Sequence, residues 1–151
     1  MYSPVVTLHP ATSSDFDYVY GLCESTVRGY VETDLGDCFD KIARNTITAL
    51  LDKGLFSTLQ ENGERVGAIA FEQGDAYIQL EELYVEPFRQ NCGVGKAAMK
   101  IVIALAAKQE KPIRLHVLAS NPNPAKGFYK NLGFTTTRAT KEVNYMERAH
   151  S

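Results

Sequence analysis

Along the first third of the chain the spacing of apolar positions changes period. Val5 to Leu8 is a short apolar run closed by Pro10. Beyond Thr12-Ser13-Ser14-Asp15, the residues Phe16, Val19, Tyr20 and Cys23 recur at three- and four-residue intervals. The first pattern predicts a strand and the second an amphipathic helix, whose start the hydroxyls and carboxylate of positions 12–15 can cap. A second helix is predicted from Phe39 through Ile42, Ile47 and Leu50 to Leu51, with Gly54 placed to stop it. Between the two, Gly29-Tyr30-Val31-Glu32-Thr33-Asp34-Leu35-Gly36 is polar and reads as an irregular connection.

Leu55 to Gln60 and Arg65 to Phe71 flank Glu61-Asn62-Gly63-Glu64, and an Asn-Gly pair between two strand-like runs predicts a hairpin. After a turn at Gly74-Asp75, Ala76 to Val85 reads as a longer strand. Its apolar residues Ile78, Leu80, Leu83 and Val85 break strict alternation, and the slip between Leu80 and Leu83 predicts a bulge. From Val94 the pattern turns helical, with Ala98, Ile101, Val102 and Leu105 on one face and Lys96, Lys100 and Lys108 elsewhere. Ile113, Leu115 and Val117 then alternate with Arg114 and His116. Pro124 to Leu132 fits a short helix closed by Gly133, and Phe134 to Glu147 reads as one or two strands. The predicted order is β, α, α, β, β, β, α, β, α, β, with no repeat or linker, so residues 1–151 are expected to form one domain.

Composition narrows the classes. With 151 residues, 44% hydrophobic and 23% charged, the chain has the mixture of a globular protein with a sizeable core. A formal net charge of -2 lacks the basic excess that drives nucleic-acid affinity, so no nucleic-acid partner is expected. Met1-Tyr2-Ser3-Pro4 opens neither a basic n-region nor an apolar h-region, and no apolar run is long enough to span a bilayer. A cytoplasmic protein without membrane attachment is the expectation. The three cysteines and three histidines have no metal-ligand spacing, so neither a disulfide framework nor a metal site is expected.

The densest chemical signal is Gln90-Asn91-Cys92-Gly93-Val94-Gly95-Lys96, between the end of a strand and the start of the best amphipathic helix. Two glycines let the backbone approach a ligand closely, and free N–H groups at a helix N-terminus suit phosphate oxygens. A Walker A loop fails, because Gln90 stands where it needs glycine and Ala97 where it needs Ser or Thr. A dinucleotide fingerprint, Gly93-x-Gly95-x-x-Ala98, is weakened by Ala119 and Ser120 where an acidic residue is expected. The structural alternative is a tight strand-to-helix turn and nothing more.

A third reading draws in distant sequence. Gln90-x-x-Gly93-x-Gly95, preceded by Leu83-Tyr84-Val85-Glu86-Pro87 and followed by Asn123-Pro124-Ala125-x-x-Phe128-Tyr129-x-x-x-Gly133-Phe134, resembles the GCN5-related N-acetyltransferase (GNAT) superfamily over nearly the whole chain. The resemblance implies an α/β (α+β) fold with a mixed, mainly antiparallel sheet flanked by helices and splayed at the cofactor site. It implies acetyl-CoA as co-substrate and transfer of its acetyl group to a primary amine of a small molecule or peptide. It makes Gln90, Asn91, Cys92, Gly93, Val94, Gly95 and Lys96 the pyrophosphate cradle. Leu83, Tyr84 and Val85 become the backbone edge for the pantetheine arm, and Asn123, or Asn121, joins Tyr129 near the thioester. Asn91-Cys92 departs from the glycine and basic residue of many relatives, which implies weaker pyrophosphate binding.

Acyl transfer to an amine needs a neutral amine, a stabilised oxyanion and a protonated leaving thiolate. Glu81 and Glu82 are the candidate bases. Register with the superfamily prefers Glu81, with Gln79 beside it, and the structural alternative makes both solvent-facing strand carboxylates. Tyr129 is the candidate acid, its alternative being a packed aromatic beside Phe128. A main-chain N–H freed at the predicted bulge, near Tyr84, is expected to meet the oxyanion. An acyl-cysteine route through Cys92 is disfavoured, since a thiol at the pyrophosphate lies far from the thioester, and His116 reads as structural.

In this superfamily the segment joining the first two helices shapes the acceptor site, which makes Tyr30, Glu32 and Asp34 the candidate acceptor-binding residues. Glu32, Asp34, Asp37 and Asp40 outweigh Arg28 and Lys41, an acidic rim suited to a cationic amine, or simply a capped helix entry. A non-catalytic acyl-CoA-binding or sensing module on the same scaffold is the alternative from another class, and retention of Glu81, Glu82 and Tyr129 argues against it. A nicotinamide-dependent enzyme ranks third, and a homodimer is left open.

Overall fold

The computed structural model describes residues 4–35, 39–119 and 125–150. Seven strands form a single open sheet: β1 (Thr7–Pro10), β2 (Phe56–Glu61), β3 (Glu64–Gln73), β4 (Ile78–Val85), β5 (Ile113–Leu118), β6 (Thr135–Ala139) and β7 (Val143–Arg148), in the order β1-β2-β3-β4-β5-β7-β6. Among the described residues four α-helices flank it: α1 (Phe16–Leu35), α2 (Phe39–Asp52), α3 (Val94–Gln109) and α4 (Ala125–Asn131). All neighbouring strands run antiparallel except β4 and β5, which are parallel because α3 carries the chain back between them. This is the mixed, mainly antiparallel sheet that the resemblance implies.

Local chemistry explains most boundaries. The Thr12 N–H donates to Asp15 Oδ2 at 2.9 Å and starts the turn that leads into α1. Asn62 (φ 54°) and Gly63 (φ 80°) are both left-handed, the geometry of a tight two-residue hairpin. Gly54 (φ 71°) ends α2.

Two expectations are corrected. The first strand is Thr7–Pro10 rather than Val5 to Leu8: its register is set by pairing Thr7 with Gln60 and Pro10 with Ser57, and Val5 is left 77% exposed. The segment from Gly29 to Leu35 is helical rather than irregular. Val27, Val31 and Leu35 continue the four-residue spacing without a proline, and a single interior glycine costs only about 1 kcal/mol relative to alanine.

The sheet separates two cores. On one side α3 packs through Ala98, Met99 and Val102 against Ile69, Ile78 and Leu115. On the other, α1 and α2 pack through Val19, Leu22, Phe39 and Ile47 against Phe56, Ala68 and Tyr84. Among the described residues no helix is long and apolar enough to cross a membrane.

Candidate functional site

The bulge predicted between Leu80 and Leu83 is present and falls on Glu81. Ala70 pairs with Glu82 and Phe71 with Leu80, so Glu81 is the extra residue. This is the one bulge expected on the strand, three residues before Tyr84, which itself pairs regularly with Ala68. One extra residue reverses the pleat. Leu80 and Leu83 therefore share the α3 side, and Glu82 and Tyr84 point together to the α1–α2 side.

Beside this bulge the sheet opens. The parallel pairing of β4 with β5 extends only over Ile78 with Ile113 and Gln79 with Arg114. Among the described residues the β4 edge that faces β5 is unpaired from Leu80 onward, and a cavity of about 290 Å³ occupies the gap. Its walls are Glu81, Glu82, Leu83 and Tyr84 of β4, residues Leu115 to Leu118 of β5, Tyr129 of α4, Cys23 of α1 and one face of α2. Both candidate bases and the candidate acid thus line one space. The exposed β4 edge also offers main-chain groups along the stretch assigned to the pantetheine arm.

The electrostatics single out Glu82. Desolvation by packed protein pushes its carboxyl up from 4.5 to about 7; the hydrogen bond from Tyr84 pulls it back, and the neighbouring Glu81 charge adds to the rise. The Tyr84 phenol is held well above its usual range, first by burial and then by the Glu82 charge, and it is also hydrogen-bonded to Cys23. Cys23, Tyr84 and Glu82 form a connected polar chain on the α1–α2 side of the sheet.

Tyr129 is fixed by ring contacts. It meets Phe128 edge-on at 5.0 Å and Phe134 at 5.5 Å between centroids. Its carbonyl accepts from Leu132 N–H at 3.0 Å and from Phe134 N–H at 3.1 Å, which closes α4 at its base.

The glycine turn lies past the end of β4. Asn91 (φ 62°) and Gly93 (φ 89°) are left-handed, and the first helical closure is the Ala97 N–H onto the Gly93 carbonyl at 3.0 Å. The amides of Val94, Gly95 and Lys96 therefore stand at the open N-terminal turn of α3. A Cβ on Gly95 would sit 3.5 Å from Phe128 and 3.7 Å from Val85, so this residue ties the turn to both β4 and α4. Asn91, Cys92, Gly93 and Lys96 are exposed, as a cradle for a charged group requires. Gln90 turns its side-chain amide onto the Val85 carbonyl at 3.1 Å, joining the turn to the strand. Arg89 pairs with the buried Glu61 of β2 and anchors the turn from behind. This cradle and the open β4 edge fit a pyrophosphate with an extended pantetheine arm.

Other expectations meet the structure differently. Cys92 is absent from the cavity lining and its Sγ lies 3.5 Å from the Gln90 carbonyl. His116 does line the cavity and faces Tyr145 of β7 at 6.2 Å between ring centroids. Of the acidic rim, Asp40 accepts from the Tyr20 hydroxyl, which gives it a structural role. Asp37, Asn121 and Asn123 lie outside the described residues, as do the side chains of Arg28, Tyr30, Glu32 and Asp34. Sequence reasoning missed Cys23 and the α2 wall, whose apolar spacing reads as ordinary core; no local signal separates them from it.

A family model described as an acetyltransferase (GNAT) domain matches residues 52–136, more than half of the chain. The chain belongs to the GNAT acetyltransferase family. Among solved structures, the GNAT fold here is similar to the PaiA N-acetyltransferase of Thermoplasma acidophilum in complex with coenzyme A. The TM-score is 0.78 at 15% identity, over 95% of this chain and 98% of that one. Ard1 of Thermoplasma volcanium gives 0.73 at 21% identity, over 96% and 97%. The ribosomal-protein-S18-alanine N-acetyltransferase of Escherichia coli gives 0.66 at 19%, over 97% and 95%. A curated relative, UPF0157 protein YqkA of Bacillus subtilis (strain 168), is 31% identical over 86 residues, which are 57% of this chain and 24% of the relative. The GNAT chain thus matches about a quarter of that relative's length.

Proposed function

We propose that this chain, as one catalytic domain, transfers an acetyl group from acetyl-CoA directly to a primary amine of a small molecule or peptide. The observation that carries the reading is the shared cavity: Glu82, with a carboxyl near pKa 7, and Tyr129 line the same opening beside an unpaired strand edge.

Acetyl-CoA supplies the activated acyl group. Amides at the start of α3 hold its pyrophosphate, with Lys96 adding positive charge. The β4 edge from Leu83 to Val85 receives its extended arm. Glu82 takes the proton that the attacking ammonium must lose, a role for which a carboxyl near 7 is matched to neutral pH. Main-chain donors at the Glu81 bulge face the developing oxyanion, and Tyr129 returns a proton to the departing thiolate. Glu81 raises the affinity of its neighbour for a proton and keeps the site attractive to a cation. Tyr30, Glu32 and Asp34, on the last turns of α1, remain the proposed acceptor rim.

Thiol release from acetyl-CoA against a panel of amines, with mass-spectrometric detection of the acetylated product, tests the reading. Amine-dependent thiol release with a matching gain of one acetyl group supports it. Acetyl-CoA binding without release for any amine contradicts it.

A further inference from the structure

The two sides of the sheet divide the cavity into a donor side and an acceptor side. The glycine turn, α3 and the Leu83 and Val85 side chains lie on the α3 side, where Val94 is packed in the core. Glu82 and Tyr84 face the α1–α2 side. An acceptor that presents its nitrogen to Glu82 therefore lies against α2.

That wall has a definite chemistry. Phe39, Ile42, Ala43 and Ile47 recur on one face of α2 and line the cavity, with the Thr46 hydroxyl as the polar group among them. Ile42 is 43% exposed, although its neighbours at 39, 43 and 47 are buried. Opposite stand the carboxylates Glu81 and Glu82, and no Lys or Arg is found among the described residues of the lining. The space is thus anionic at one end and apolar along its α2 wall, and its described lining offers a carboxylate no lysine or arginine, only the His116 ring on the β5 side.

Resting on the proposed acetyl transfer, we infer that the acceptor is a primary monoamine on an apolar alkyl or aralkyl body, with no carboxylate beside the amine. The ammonium is drawn to Glu81 and Glu82, and the body covers Ile42 and its neighbours. A free amino acid sets its carboxylate against two like charges. A polyamine lays a second ammonium along the apolar α2 wall, where among the described lining residues only the Thr46 hydroxyl can replace its hydration.

Thiol release with acetyl-CoA at pH 8 tests this on two matched sets: ethylamine, butylamine and hexylamine; and phenethylamine, phenylalanine and spermidine. The expected result is a kcat/KM that rises up to about fourfold for each methylene that becomes buried, with phenethylamine at least tenfold above phenylalanine and spermidine. Ile42→Asp, checked by its thermal transition to be folded, flattens the alkyl series through KM, and Ile42→Ala flattens it in part. A flat series in the wild type, or phenylalanine or spermidine equal to phenethylamine, overturns the inference and leaves acetyl transfer standing. No release with any amine, while acetyl-CoA still raises the melting temperature, overturns both.

Discussion

The Tyr84 hydroxyl donates to the Glu82 carboxylate from two positions further along the same face of β4. The bond lowers the carboxyl's affinity for a proton, yet burial outweighs it, and Glu82 remains near pKa 7. Its folded-state value is raised above 4.5, so the native protein binds a proton more tightly than the unfolded chain between about pH 4.5 and 7. Stability is then lost as pH rises through that window. Glu82→Gln removes the loss. The variant should gain on the wild type by about 1–3 kcal/mol between pH 5 and pH 8, read from urea denaturation at the two pH values. A difference that does not change with pH removes the assignment.

Gly67 carries the β3 backbone past Tyr84 at close range. A Cβ there would lie 2.2 Å from the Tyr84 carbonyl oxygen and 3.2 Å from Leu59 Cδ1. Backbone on both sides must shift, so Gly67→Ala should cost about 1–3 kcal/mol in unfolding free energy. An unchanged denaturation midpoint would show that β3 and β4 are not held this closely.

Gly93→Asp places a carboxylate at the N-terminus of α3 on a residue at φ 89°, with Pro4 3.3 Å from the new Cβ. The charge opposes a pyrophosphate directly. The acetyl-CoA concentration needed for a given rise in melting temperature should increase at least tenfold. An unaltered response in the folded variant would move the cofactor away from this turn.

Tyr129→Phe keeps the ring contacts with Phe128 and Phe134 and removes only the hydroxyl. If the phenol serves the leaving thiolate, kcat should fall about 10²-fold with little change in the KM for acetyl-CoA. A fall in affinity without a fall in kcat would make Tyr129 a packing residue.

Features written in local backbone chemistry were legible in the chain. Asn62-Gly63 and Gly93-x-Gly95 demand left-handed or unhindered positions whatever surrounds them, and the uneven spacing of Leu80 and Leu83 announced a bulge. Spacing alone does not say which residue is the extra one. That choice decides which of two adjacent carboxylates turns in beside Tyr84, and it is Glu82 that the bulge sets there. The α2 wall was illegible for a related reason. Ile42 and Thr46 sit on the same helical spacing as core residues, and only the opening between β4 and β5 makes that edge a cavity lining. The last turns of α1 resemble a loop in the sequence because polar residues stand between apolar positions that fall four apart.

The proposal that Glu82 is the base that frees the amine is tested most directly by the pH dependence of kcat/KM. Wild-type activity should rise through an apparent pKa near 7, set by Glu82. Glu82→Gln should lose at least tenfold below pH 8 and recover toward the wild type at higher pH, where the amine is already partly neutral. Glu81→Gln should keep the limb near pH 7. A ratio of Glu82→Gln to wild-type rates that stays flat across pH, or a limb lost in Glu81→Gln and retained in Glu82→Gln, would contradict it.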